Sequence, residues 1–144
     1  MQADFLDAHY RHWEDAEQLF RASRWANADH LFGVSAECGL KRLMIAFGMA
    51  IDSVTGTPNN SQDRVHVMES RRPQSAWDRY EAYRAGHQAA TYLLTSPNPF
   101  ANWDVSQRYA HQSNFNHPRA ESHRQGANAV KTLVNKAILE GLVT

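Results

Sequence analysis

The sequence predicts an all-α fold, a bundle of four longer helices and one short helix, in a single domain spanning residues 1–144. Three observations favour this fold. Apolar residues recur at helical spacing through most of the chain, and almost no segment alternates as a strand does. The composition is globular, with 42% hydrophobic and 21% charged residues. Clusters of turn-forming residues separate the periodic segments.

The first two predicted helices carry the clearest apolar patterns. The first covers residues 3–23, and its inner stripe contains Phe5, His9, Trp13, Ala16, Leu19 and Phe20. The second covers residues 27–53, and either Asn27 or Ser23 is expected to cap it. Because this second helix is apolar around much of its circumference, it should lie at the centre of the bundle. A loop over residues 55–60 ends it.

The second half of the chain predicts a short helix and two longer ones. The short helix covers residues 61–72 and stops before Pro73. Ser75 opens the fourth helix, with Asp78 placed as in a capping box, and residues 96–99 end it. Its inner stripe contains Trp77, Tyr80, Tyr83, His87, Ala90 and Leu94. Pro118 opens the last helix and Gly141 stops it, after an irregular segment with one helical turn at residues 104–107.

The composition also limits the class of protein. The only cysteine, Cys38, excludes an internal disulfide and a multi-cysteine zinc site, which fits a cytoplasmic protein. No apolar run reaches the roughly 20 residues of a membrane span, and no signal peptide opens the chain, so no membrane partner is expected. Fifteen basic and fifteen acidic residues balance, but residues 60–144 hold ten basic and seven acidic side chains. RNA binding, if electrostatic, should therefore centre on this half.

Residues 102–123 form the segment richest in chemically useful side chains, with three histidines, two arginines and three asparagines. One interpretation is structural: Trp103, Tyr109 and Phe115 plug the end of the bundle, and the polar residues satisfy loop backbone. The other is functional: a site for a phosphate-bearing ligand is lined by Arg108, His111, Asn114 and His117.

The functional interpretation has a simple chemistry. An imidazole exchanges protons near neutral pH, and a guanidinium binds phosphate. Attack of a ribose 2′-hydroxyl on the adjacent phosphate needs a base, an acid and a cation. A ribonuclease built this way needs no metal and no cofactor. We assign phosphate binding to Arg108 and acid–base work to His111, with supporting roles for Asn114, His117 and Arg119.

The second predicted helix resembles a known family. From Ala28 to Lys41, small and apolar residues surround Glu37, and Lys41 follows one turn later, which resembles the second helix of HEPN domains. Residues 64–69, with His66, look like the short histidine-containing element that follows it in many of these proteins. The resemblance implies a helical bundle that dimerises. It also implies either a ribonuclease of toxin–antitoxin or defence type, or a non-catalytic adaptor that binds a protein or nucleotide partner.

The catalytic signature of that family is an arginine followed, after four to six residues, by a histidine near the start of the last long helix. This sequence departs from it. Arg108 is followed by His111 after two residues and by His117 after eight, and Arg119 reaches His123 after three. A pair with the family spacing, Arg24 and His30, lies at the entry to the second helix instead.

Several side chains have a structural interpretation beside the functional one. Glu37 and Lys41 are four residues apart and either form an ion pair or, for Glu37, face the site. His66 and His87 are interpreted as hydrogen-bonded core residues, and no metal site is expected. A homodimer is expected because the second helix is apolar on more than one face in a chain too short to surround it.

Overall fold

The computed structural model describes residues 1–86, 90–94 and 97–144 and confirms the all-α fold class. Four α-helices follow in order: α1 (Phe5–Arg21), α2 (Trp25–Ala46), α3 (Ala76–Ala85) and α4 (His117–Leu139). Short 3₁₀ turns cover Ser61–Asp63, Ala90–Tyr92, Val105–Tyr109 and Gln112–Asn114. Within the described ranges, strand-like pairing is limited to an isolated bridge between Ile51 and Pro58.

Helix α2 lies at the centre and contacts the other three helices. Its fully buried apolar side chains are Ala28, Phe32, Ala36, Leu40, Leu43 and Met44. Glycine makes the close packing possible: a Cβ on Gly39 would lie 2.6 Å from Val130 of α4 and 2.8 Å from His9 of α1. The chain's own helices therefore cover most of the apolar surface that prompted the homodimer prediction.

Local side-chain caps fix several helix ends. Asp4 accepts from the backbone of α1, and Asn116 accepts from the N–H of Arg119 at the start of α4. Ser75 and Asp78 form the reciprocal capping box that the sequence predicts. The prediction for α2 is wrong, because Arg24 occupies its N-cap position without a side-chain hydrogen bond.

Two predicted helices are shorter than expected. Helix α2 ends at Ala46 instead of residue 53, because the chain turns at Gly48, whose φ is 103°. Helix α3 ends at Ala85, well before residue 94, and the predicted role of His87 falls outside the described residues.

The short helix predicted over residues 61–72 is wrong beyond its first turn. Only Ser61–Asp63 is helical, and the following backbone is held by side chains instead. The Arg72 guanidinium donates to the carbonyls of Ser61 and Arg64, and buried Asp63 pairs with Arg79 and Tyr83. These long-range contacts replace the backbone bonds that a helix would have made.

The segment between α3 and α4 closes one side of the bundle. Trp103 and Phe115 are buried, as the structural interpretation predicts, but Tyr109 is 79% exposed and plugs nothing. The Trp103 indole lies so close to Gly33 of α2 that a Cβ there would be 2.2 Å from the ring. None of the described helices is both long enough and apolar enough to cross a membrane.

Candidate functional site

Arg108 and His111, the predicted catalytic pair, have separate surroundings. Arg108 is exposed, its guanidinium lies 4.8 Å from the centre of the Tyr109 ring, and no carboxylate of the described chain pairs with it. His111 caps the next 3₁₀ turn, because its Nδ1 accepts from the N–H of Ser113. It also lines a cavity of about 460 Å³ with residues 23–27, which Arg108 does not reach.

The residues assigned supporting roles around this pair make structural contacts. The Asn114 amide donates to the carbonyl of His111 and holds the same turn. The His117 ring packs 5.2 Å from Phe20 and 5.1 Å from Trp25, at the α1–α2 connection. Neither contact brings these side chains to Arg108.

Asp29, which is fully buried, is the centre of a network of polar side chains. Its Oδ1 accepts from His123 Nδ1 at 2.5 Å, and its Oδ2 accepts from the Gln107 amide at 2.5 Å. Arg119 forms an ion pair with the same carboxylate at 3.6 Å, and it donates to the carbonyl of Asn102. The Asn102 side chain in turn accepts from His123 Nε2 at 2.7 Å. We name these five residues the Asp29 network.

Arg119 and His123 lie near the start of α4, the last long helix, where the catalytic signature of HEPN domains is found. The Asp29 network gives this pair a structural role. Arg119 and His123 converge, but on Asp29 and not on a cleft, and the His123 ring has no exposed surface. An imidazole with both nitrogens hydrogen-bonded and no contact with solvent cannot exchange a proton with a substrate as it stands.

A second group of polar side chains lies at the surface. His30 of α2 stacks in parallel on the Trp103 indole at 5.7 Å, and His66 lies 6.4 Å from the same ring. Glu37, two turns along α2 from His30, accepts from His66 Nδ1 at 3.0 Å and from Lys41 at 2.7 Å. Glu37 and Lys41 therefore form the ion pair that their spacing predicts.

His12 of α1 and Arg108 complete this group, which we name the histidine cluster: His12, His30, His66, Glu37 and Arg108. The charges of Arg108, His12 and His66 all act on His30, and the charge of Glu37 acts on His12. Four separate elements of the chain therefore deliver titratable groups to one patch.

The two imidazoles beside Trp103 are shifted in opposite directions. Burial, together with the positive charge of Arg108, lowers the pKa of His30. The hydrogen bond to Glu37 raises the pKa of His66, and this effect outweighs burial. Burial alone would raise the pKa of Glu37, but the bond from His66 and the charge of Lys41 lower it.

The two ring nitrogens of each imidazole also differ. Nδ1 of His30 is buried without a hydrogen-bond partner in the described chain, which leaves Nε2 to exchange protons from the half-buried ring. His66 uses Nδ1 for Glu37, and its side chain is 42% exposed. This arrangement can supply a neutral base, a protonated acid and an unpaired cation at one surface.

Sequence reasoning missed His12 and His30 as members of a site and treated His66 as structural. One local signal existed, since His30 and Glu37 are seven residues apart on one helix face. The other members come from α1 and from two loops, so only the tertiary structure assembles them.

Two other chemistries find no support among the described residues. No group of three or more histidine, cysteine, aspartate or glutamate side chains there is arranged to hold a metal ion. Cys38 is buried, and burial raises the pKa of its thiol to about 12, so it is an inert packing residue.

Comparison of the chain with models of protein families, with curated proteins and with solved structures finds no match. The resemblance to HEPN domains therefore depends on the residues of α2 and the segment around His66.

Proposed function

We propose that this protein is a HEPN-like, RNA-binding ribonuclease that cuts without a metal ion, with the histidine cluster as its active site. The observation that carries the proposal is the placement of His30 and His66 against one indole, Trp103, with the positive charge of Arg108 acting on His30. The toxin or defence setting that the resemblance implies belongs to the same proposal.

Four members of the cluster have a defined task. Arg108 binds the scissile phosphate and stabilises the charge that grows on it. Neutral His30 takes the proton of the ribose 2′-hydroxyl, whose oxygen bonds to phosphorus. Protonated His66 donates a proton to the departing 5′-oxygen. The products are a 2′,3′-cyclic phosphate and a 5′-hydroxyl, and Glu37 holds His66 in its orientation.

The opposite pKa shifts support this division of roles. Because the pKa of His30 is lowered, its neutral form persists to lower pH than in an unperturbed imidazole. Because the pKa of His66 is raised, its protonated form persists to higher pH. Both groups therefore hold the required form at a pH near the ordinary histidine pKa, and the rate should fall on either side.

The experiment compares variants on a single-stranded RNA. Arg108→Ala, His30→Gln and His66→Gln should each lower turnover about a hundredfold or more. His111→Ala is the matched control, because the sequence assigned acid–base work to His111 and the structure places it at a turn. Thermal melts on all four variants establish that they fold.

The substrate supplies a second control. An RNA with a single 2′-deoxy residue 5′ to the cut should resist cleavage there, since the nucleophile is missing. Cleavage lost in His111→Ala but retained in His30→Gln and His66→Gln would overturn the assignment.

The alternative is a non-catalytic adaptor that binds a protein or nucleotide partner. The observation that favours it is that Arg119 and His123, an arginine–histidine pair at the start of α4, are both engaged by Asp29, and the His123 ring is fully buried. Wild-type protein that binds RNA or a nucleotide but leaves every RNA intact would support this alternative and exclude the ribonuclease.

A further inference from the structure

The Asp29 network and the histidine cluster are joined through the backbone. Asp29 precedes His30, Asn102 precedes Trp103, and Gln107 precedes Arg108. Two network residues are thus bonded in sequence to members of the cluster, and a third is bonded to Trp103, which contacts His30 and His66. The network spans α2, α4 and the loop between α3 and α4, so it fixes these neighbours relative to one another.

We infer that the buried Asp29–His123 pair is a positioning element, which holds Trp103 and Arg108 against His30. His123 reaches the loop through Asn102, and Asp29 reaches the 3₁₀ turn of Arg108 through Gln107. The catalytic consequence of this inference rests on the proposed function, whereas its structural consequence does not.

The charges around His30 make the inference measurable. Arg108 faces His30 from the 3₁₀ turn, His12 faces it from α1, and His66 faces it from the loop that follows α2. Burial and all three of these groups lower the pKa of His30, while Asp29, its neighbour on α2, raises it. Moving the loop should therefore raise the pKa of His30, whereas removing the Asp29 charge should lower it.

Two variants separate position from charge. Asp29→Asn keeps the shape of the side chain but loses its charge, so the pKa of His30 should fall. His123→Leu breaks the network and releases the loop. His30 then loses both its cover by Trp103 and the nearby Arg108, so its pKa should rise.

The readout is an NMR titration of the His30 ring proton in each folded variant, without substrate. Gln107→Ala removes the hydrogen bond from the 3₁₀ turn of Arg108 to Asp29. It replaces His123→Leu in this experiment if that variant does not fold. Val134→Ala is the control, because it weakens the core at a fully buried position of α4 outside the network. It should leave the pKa of His30 where it is.

Cleavage kinetics give the second readout. His123→Leu and Gln107→Ala should lower kcat about tenfold to a hundredfold with a smaller change in KM, because the reacting groups are misplaced. In each variant, the pH at which kcat falls on the acidic side should shift with the pKa of His30. If the pKa of His30 is unchanged in both His123→Leu and Gln107→Ala, the inference is overturned, even if the wild type cuts RNA. Absence of RNA cleavage with the expected titrations would overturn the proposed function alone.

Discussion

Gly33 determines where the Trp103 indole lies, and through it where the His30 ring stacks. A Cβ at Gly33 would be 2.2 Å from two atoms of the indole, so any side chain there must displace the ring. We expect Gly33→Ala to lower the free energy of unfolding by about 1–3 kcal/mol, as overpacking typically does. Urea unfolding measures this.

Gly86 provides the matched control for that substitution. The nearest atom to a Cβ at Gly86 is a carbonyl oxygen at 3.6 Å, which is an ordinary contact. Gly86→Ala should therefore change the free energy of unfolding by less than about 1 kcal/mol. Equal losses in the two variants would show that Trp103 adapts to Gly33→Ala at no cost.

His9 makes the fold sensitive to acid. Its ring is fully buried, Nδ1 donates to the carbonyl of Ser35 at 2.8 Å, and Nε2 has no hydrogen-bond partner among the described residues. Burial lowers its pKa, so the folded state binds fewer protons than the unfolded state once the pH is below the ordinary histidine value. Its contribution to stability is therefore lost as the pH falls from that value towards the lowered pKa.

The test compares the free energy of unfolding at about pH 7.5 and at about pH 5.5, because this range starts above the ordinary histidine pKa. His9→Asn retains a donor for Ser35 and does not titrate, so its loss of stability across this window should be smaller than that of the wild type. His111→Asn, at an exposed turn, is the control. Identical pH dependence in wild type and His9→Asn would contradict the prediction.

At the scale of elements, α3 depends on its cap more than the longer helices do. It has only 10 residues, and its capping box satisfies two backbone donors at once. Ser75→Ala should lower the free energy of unfolding by about 1 kcal/mol, since the N–H of Asp78 loses its acceptor. Ser122→Ala, exposed on α4, is the matched control and should have little effect. Equal stability of the two variants would show that tertiary packing alone holds α3.

At the scale of the whole molecule, we propose a homodimer, formed through the end of the bundle where α4 finishes. Contacts of Lys136 with Thr91 and of Glu140 with Tyr92 bring the 3₁₀ turn at residues 90–92 beside this end. The exposed apolar side chains there are Leu93, Ile138, Leu139 and Leu142. Burial of such a patch between two copies would remove it from water.

Light scattering at micromolar concentration should therefore give about twice the 16.4 kDa chain mass. Leu139, which is 88% exposed, is the position to change, and Leu139→Lys should shift the protein towards the monomer. Val54→Lys is the control, since Val54 is also apolar and is 78% exposed but lies in a loop elsewhere. A wild-type mass of one chain would exclude the dimer.

Features that depend on neighbouring residues could be predicted from the sequence, whereas features that depend on long-range contacts could not. Arg108 and Glu37 are site candidates from the sequence alone, and the structure shows Glu37 bonded to both Lys41 and His66. His111 was chosen because it is close to Arg108 in sequence, yet a turn cap uses it locally. His12 and His30 were missed because sequence distance conceals that α1, α2 and two loops meet at one patch.

The sequence by itself determined the helical class, the central place of α2 and the Ser75 capping box. All three depend on interactions within a few residues: the 3.6-residue period of apolar side chains and hydrogen bonds to the nearest backbone groups. Tertiary contacts decided that residues 64–72 are not helical, because the Arg72 guanidinium binds the carbonyls of Ser61 and Arg64, and the Asp63 carboxylate pairs with Arg79 of α3. They also decided the site: Asp29 and His123, 94 residues apart, pair only when α2 packs against α4, and burial then gives their hydrogen bond its strength.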